Sequence, residues 1–181
     1  MQEFPRNFTD HLSPIMLNVI GLFWRLCVFR EHPSSVPSAD WFVYAVLAAN
    51  VGVSLTLSVY LSPDVPLVAL ATAVFVQQAV LASLLFAALY LRNLSRRFTR
   101  TMTAVFGCDL ILTALQGALL VLVPDHTQLW FQFILLAFFL WIVAILGQIL
   151  QRALDVQLPV AIGLALAFIV LATAFGSAAV Q

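Results

Sequence analysis

Five long apolar runs dominate the hydrophobic pattern of this chain, and short polar segments separate them. An α-helix needs roughly 20 residues to cross the hydrocarbon core of a bilayer, with a lower limit of about 17. All five runs meet that length. The pattern therefore predicts five transmembrane helices, at about residues 41–61, 67–91, 101–123, 129–150 and 157–175.

A shorter run over residues 15–29 follows Ser13 and Pro14, which form a typical helix start. Its two faces differ in polarity, so we expect an amphipathic helix that lies in the membrane interface. A short span is the alternative. A signal peptide is excluded because Arg25 and Arg30 lie within and after the run. The apolar face carries Ile15, Val19, Leu22, Phe23, Leu26 and Phe29, and the opposite stripe carries Asn18, Gly21 and Arg25.

Composition supports the same class of protein. Hydrophobic residues make up 63% of the chain and charged residues 9%, and the mean hydropathy is +1.05, whereas about a quarter of residues are charged in soluble proteins. We therefore expect an all-α polytopic membrane protein with five transmembrane helices plus the N-terminal amphipathic helix. Residues 1–38 comprise a tail, that helix and a Pro/Ser link, and residues 39–181 form one bundle.

All eight basic residues are arginine. Along the chain, connections that carry arginine alternate with connections that carry none. Arginines precede the first span, follow the second and follow the fourth, whereas the other connections have none. By the positive-inside rule, the arginine-bearing segments face the cytoplasm and the C-terminus lies on the other side. We expect a bacterial inner membrane location, with sequential spans packed as antiparallel neighbours. This distribution reports topology and argues against a nucleic-acid partner.

Polar side chains inside the predicted spans are the sharpest feature. Asp109 lies near the middle of the third span, with Thr113 and Gln116 on the same face. The helical rise puts Asp109 at the depth of Asn50 on the first span, and Gln116 at that of Gln77 and Gln78 on the second. One interpretation is that Asp109 fixes helix register through hydrogen bonds. The other is a proton or ion relay, which normally needs further ionisable groups at that depth.

The arginine cluster after the second span also has two interpretations. It can act as a topology determinant, or it can bind anionic lipid headgroups or an acidic partner. The predicted cytoplasmic basic surface comprises Arg92, Arg96, Arg97, Arg100, Arg152, Arg25 and Arg30.

Catalytic and cofactor signals are weak. His11, His32 and His126 all fall outside the spans, which excludes intramembrane bis-histidine haem ligation. Cys27 and Cys108 lie in apolar helices without nearby ligand partners, so we expect inert residues. No nucleophile and base pair or phosphate loop appears. We expect no enzyme activity, no cofactor and no metal.

Three segments carry a family resemblance: WRLCVFREHPSSVPSADW, RRFTRTMTAVFGCDL and GQILQRALDVQLP. Together with the order of elements, they resemble the Yip1-like family of small five-span bacterial membrane proteins. The resemblance implies an N-terminal amphipathic helix, a Pro-rich link and five spans. Eukaryotic members are implicated in membrane traffic and in binding small GTPases through a cytosolic N-terminal region, and this chain has only a dozen residues before its first helix.

These features favour a non-enzymatic inner-membrane protein, a structural, adaptor or assembly component of a membrane complex. Its expected partners are the bilayer, anionic headgroups among its lipids, and other membrane subunits or a second copy. The alternative is a small transporter or channel subunit with a polar path at Asp109.

Overall fold

The computed structural model describes residues 19–28, 30, 39–123 and 129–179. Residues 19–27 are helical and form α1. The remaining helices are α2 (Asp40–Leu61), α3 (Leu67–Leu91), α4 (Phe98–Leu122), α5 (Leu129–Leu154) and α6 (Leu158–Ala178), and a 3-10 turn (Ser95–Arg97) precedes α4. Within the described residues, α2 to α6 are long and apolar enough to cross a membrane. The prediction of an all-α polytopic membrane protein is confirmed.

The helix bounds follow the predicted spans, except that α4 begins earlier, at Phe98, and two helices extend further at their C-terminal ends. Helix α5 continues to Leu154 rather than ending near Leu150, and α6 continues to Ala178. In both extensions the backbone stays helical although the sequence becomes more polar. Hydropathy alone therefore ended the predicted spans too early. The predicted tail, residues 31–38 of the Pro/Ser link, and the turn at residues 124–128 lie outside the described residues.

Helices α3 and α5 end in the same way. Asn93 and Asp155 follow the two helices with positive φ values of 57° and 52°. The next amide, from Leu94 or Val156, then donates back to the carbonyl of Leu89 (2.8 Å) or Gln151 (3.3 Å). This is the Schellman arrangement, and Asn and Asp tolerate its left-handed residue better than most side chains.

The closest helix pairs are not all sequential. Helix α2 packs most extensively on α4, and α6 packs on both α3 and α5. Sequential spans do contact one another, as expected, but the contacts of α2 with α3, of α3 with α4 and of α4 with α5 are less extensive than those of the pairs above. Small residues allow the observed pairs to approach closely. A Cβ at Gly176 would lie 3.2 Å from the carbonyl oxygen of Ala73, so α6 nearly touches the backbone of α3.

Helix α1 docks against one end of the bundle. Phe23, Leu26 and Cys27 are buried, whereas Trp24 and Arg25 are exposed, so the predicted apolar face is the face that packs. The Phe23 ring stacks on Phe42 of α2, with centroids 6.2 Å apart. We name the end of the bundle that carries the α3–α4 and α5–α6 connections the arginine end. The position of α1 relative to a membrane interface stays a prediction.

Candidate functional site

Asn50 is the centre of a polar cluster that joins three spans. Its Nδ2 donates to the Asp109 carboxylate oxygen Oδ2 (2.9 Å) and to the carbonyl oxygen of Phe106 (3.0 Å). Its Oδ1 accepts from Gln78 Nε2 (2.9 Å) and from Ser54 Oγ (3.3 Å). The Asn50 side chain is fully buried and all of its hydrogen-bonding capacity is used. The expected pairing of Asn50 with Asp109 is present.

The carbonyl of Phe106 fixes the direction of this cluster. A backbone carbonyl only accepts, so the Asn50 amide must turn its Nδ2 toward α4 and its Oδ1 toward α3. Gln78 must then present its Nε2 to Asn50, which directs its Oε1 away. That Oε1 is buried and has no hydrogen-bond partner among the described residues. Gln78 is only 8% exposed, so its unpartnered oxygen carries a desolvation cost of about 1–3 kcal/mol.

A cavity of about 330 Å³ lies beside the cluster, and all five spans contribute to its wall. Asp109, Gln78 and Gln77 line it together with Thr113 and Gln116. Helix α4 thus presents its predicted polar stripe to this cavity rather than to lipid. The wall holds one carboxylate and no basic side chain, and most of it is apolar.

The sequence did not indicate that several other polar groups share the cavity wall. Ser54 and Ser58 of α2, Cys108 of α4 and Thr173 of α6 all line it. Ser58 donates to the carbonyl of Ser54 (2.8 Å), and Thr173 donates to that of Ile169 (2.8 Å). Serine and threonine are common in apolar helices and satisfy themselves in this way, so the sequence offered no signal that they share a cavity.

The arginines at the arginine end of the bundle divide into two groups by the contacts that they make. Arg92 donates to the carbonyl of Leu154 from Nε (3.3 Å) and Nη2 (3.2 Å), and to that of Asp155 (3.3 Å). Arg97 donates to the carbonyls of Arg152 (3.3 Å) and Ala153 (3.4 Å) and forms an ion pair with Asp155 (3.0 Å). These two arginines satisfy the last carbonyls of α5, which lack partners within the helix.

The remaining arginines lie at the protein surface. Arg96 and Arg100 are exposed, and neither makes a hydrogen bond or ion pair within the described residues. Arg25 and Arg30 are also exposed, and Arg152 is partly buried. Arg25 and Arg152 have further interactions of their own. All of the arginines of the predicted basic surface except the partly buried Arg152 are therefore exposed, and Arg92 and Arg97 are in addition bound to the end of α5.

A third feature of the structure is that its two cysteines lie next to each other. Cys27 of α1 and Cys108 of α4 are both buried free thiols that lie close enough to interact. Beside them, the Trp141 Nε1 donates to the carbonyl of Cys27 (3.1 Å). The sequence showed no partner for either cysteine because 81 positions separate them. Their meeting depends on how α1 docks.

Among the described residues, no group of three or more His, Cys, Asp or Glu side chains could hold a metal ion.

A scan against protein-family models and searches of curated proteins and of solved structures found no match. The resemblance to the Yip1-like family stays a prediction.

Proposed function

We propose that this protein is a non-enzymatic component of an assembly in the bacterial inner membrane. Its five spans act as a rigid anchor, and Arg96 and Arg100 form the contact for an acidic surface of a partner subunit. In this proposal, the arginine end faces the cytoplasm and the C-terminus faces the other side, following the positive-inside rule. The order of elements, which resembles that of the Yip1-like family, is consistent with it.

One observation carries this proposal. Arg92 and Arg97 stabilise the end of α5, whereas Arg96 and Arg100 are exposed beside them without a partner in the described part of the chain. Both belong to the segment that enters α4, so a rigid helix positions them. A guanidinium group has five donors in a planar fork, which suits it to bidentate recognition of carboxylates on another protein.

The experiment is affinity purification of a C-terminally tagged copy from native membranes in mild detergent, followed by mass spectrometry. We expect a stoichiometric membrane partner with the wild-type chain and its loss from the double variant Arg96→Gln, Arg100→Gln. Replacement of both residues by lysine should keep only part of the partner, since the charge remains but the bidentate fork is lost. Arg30→Gln is the matched control, because it removes an exposed arginine from a different segment.

Topology must be checked in the same variants, since arginines also orient spans. Protease accessibility of the tag in sealed membrane vesicles gives the orientation. Loss of the partner with unchanged orientation supports the proposal. Recovery of the wild-type chain alone, or only with copies of itself, contradicts it, and partner loss that follows inverted orientation reduces the arginines to topology determinants. Retention of a lipid but no protein would assign the arginines to anionic headgroups instead.

The cavity favours a second candidate function, a small transporter or channel subunit. Its polar wall includes Asp109, Thr113 and Gln116, and intramembrane carboxylates commonly mark substrate or ion paths. The test is reconstitution into liposomes with measurement of proton and cation flux. Asp109→Asn should abolish coupled flux while keeping the hydrogen bond from Asn50. Unchanged flux in this variant, or no flux above empty liposomes with the wild-type chain, contradicts this candidate.

A further inference from the structure

The cavity beside Asn50 is lined by hydrogen-bond acceptors, among them one carboxylate, and by no basic side chain. Gln78 and Asp109 both line it, and both hydrogen-bond to Asn50. The Gln78 Oε1 is buried and has no hydrogen-bond partner among the described residues. A ligand in the cavity would therefore meet the Asp109 carboxylate with the Gln78 amide nearby.

The remaining wall determines what kind of ligand fits. Apolar side chains such as Leu57, Leu81 and Ile142 form most of it. An inorganic cation such as Ca²⁺ needs six to eight oxygen ligands in a closed shell, and Mg²⁺ needs an octahedral one, whereas this wall holds a single carboxylate and is mostly apolar. The volume of about 330 Å³ is at the lower end of the range for small-molecule pockets, about 300–1,000 Å³.

We infer that this cavity binds a small amphipathic amine in its protonated form. The ammonium group donates to Asp109 and to Gln78 Oε1, and the apolar body lies against the leucine and isoleucine side chains. The ligand thus supplies the positive partner that a carboxylate within a bilayer requires and the donor that Gln78 lacks. Thr113 and Gln116 lie further along the same wall and can accept or donate to polar groups elsewhere on the molecule.

This inference does not depend on the proposed role of Arg96 and Arg100, and binding is measured without a partner subunit. If the protein is a transporter or channel subunit, this inference names the class of its substrate. Binding without flux would keep the inference and contradict only transport.

The test is equilibrium dialysis of the full chain in nanodiscs of zwitterionic phosphatidylcholine. The probe is radiolabelled 2-phenylethylamine, and the competitors are 2-phenylethanol and 3-phenylpropanoate, which match its body without its charge or with the opposite charge. We expect saturable binding that unlabelled amine displaces, with the alcohol about tenfold weaker and the anion without effect, because a charge-assisted hydrogen bond is lost. Empty nanodiscs give the background from partition into lipid.

Two variants locate the site. Asp109→Asn should weaken binding about tenfold or more, because it removes the charge but keeps the shape. Gln78→Leu should weaken it about threefold to tenfold through loss of a neutral acceptor. Thr72→Val is the matched control on α3, since Thr72 is exposed and bonds only to the carbonyl of Val68 in its own helix.

Circular dichroism and size-exclusion chromatography verify that each variant is folded. If Asp109→Asn fails to fold, the ranking of the three probes on the wild-type chain and the Gln78→Leu result decide the matter. No saturable amine binding overturns the inference, as does equal binding of amine and alcohol. Displacement of the amine by millimolar sodium chloride, but not by sucrose of equal osmolality, would assign the site to an inorganic cation and also overturn it.

Discussion

The two halves of the bundle differ sharply in how they pack. At the arginine end, α4 buries Thr101 and every residue from Thr103 to Cys108, and α5 buries most residues from Val143 to Leu154. In the opposite half, α4 buries only Leu112 and Leu120, and α5 buries only Phe131 among the described residues. The packed first half of α4 is more polar than its second half, so hydrophobicity alone does not cause the difference.

The difference comes from what is added at the arginine end. Helix α1 provides an additional layer there, with Phe23 and Cys27 seated against α4 and its carbonyl end held by Trp141. Arg92 ties the end of α5 to the end of α3, and Arg97 ties it to the start of α4. The middle of the bundle has a polar cluster and a cavity instead. A tightly packed end thus supports a middle that leaves space for a ligand.

The largest expected effect comes from disturbing the packed end at Gly107. A Cβ at this position would clash with the Phe23 ring, so Gly107→Ala must displace that ring from its place between α1 and α4. We expect the free energy of unfolding to fall by about 1–3 kcal/mol, measured by reversible unfolding with SDS in mixed micelles. Cys27 should also react faster with a maleimide, in a background where Cys108 is replaced by alanine.

Gly52→Ala is the control for this prediction. The Cβ of that alanine meets nothing within 4 Å, and alanine is about 0.5–1 kcal/mol better than glycine within a helix. Equal effects of the two substitutions would show that Phe23 yields freely and that the packed end does not depend on α1.

The next effect tests the polar middle of the bundle. Asn50→Leu removes four side-chain hydrogen bonds and leaves Asp109 and Gln78 without this partner. At an average of about 0.6 kcal/mol for each bond within a membrane, we expect a loss of roughly 2 kcal/mol in the same unfolding measurement. Thr56→Val serves as the control, since Thr56 is exposed and bonds only within its helix. A loss no larger than that of the control would mean that the cluster does not fix the rotation of α2.

A smaller effect is expected at the contact between α1 and α5. Trp141→Phe keeps most of the aromatic packing but removes the 3.1 Å hydrogen bond to the carbonyl of Cys27. The orphaned carbonyl should cost about 1 kcal/mol and accelerate maleimide labelling of Cys27. Trp41→Phe, at an exposed tryptophan, should change neither quantity. Unaltered labelling in Trp141→Phe would show that aromatic packing alone holds α1.

The smallest effect concerns the exposed ion pair at the arginine end. Asp155→Asn keeps a side chain that tolerates the positive φ and removes only the charge that faces Arg97. We expect a loss of at most about 0.5 kcal/mol that disappears in high salt, from unfolding curves at two ionic strengths. Arg97→Gln should cost more, because the α5 carbonyls also lose a donor. The reverse order would assign the stability to the ion pair itself.

The sequence alone determined the features that depend on one helix at a time. Apolar length predicted all five spans because a bilayer sets the number of residues that cross it. The fixed rise of a helix matched the depth of Asn50 with that of Asp109, and the apolar face of α1 was the face that packs. These properties are local, so the order of residues is sufficient to predict them.

Only the tertiary structure decided the features that need two or more helices. The pairing of α2 with α4, the contact of Cys27 with Cys108 and the placing of Gln78 beside Asn50 all depend on the rotation and neighbours of each helix. Nearly uniform apolar helices carry little information about which side faces inward. Close approach at small residues and a few interhelical hydrogen bonds made that choice, and the cavity and the division of the arginines followed from it.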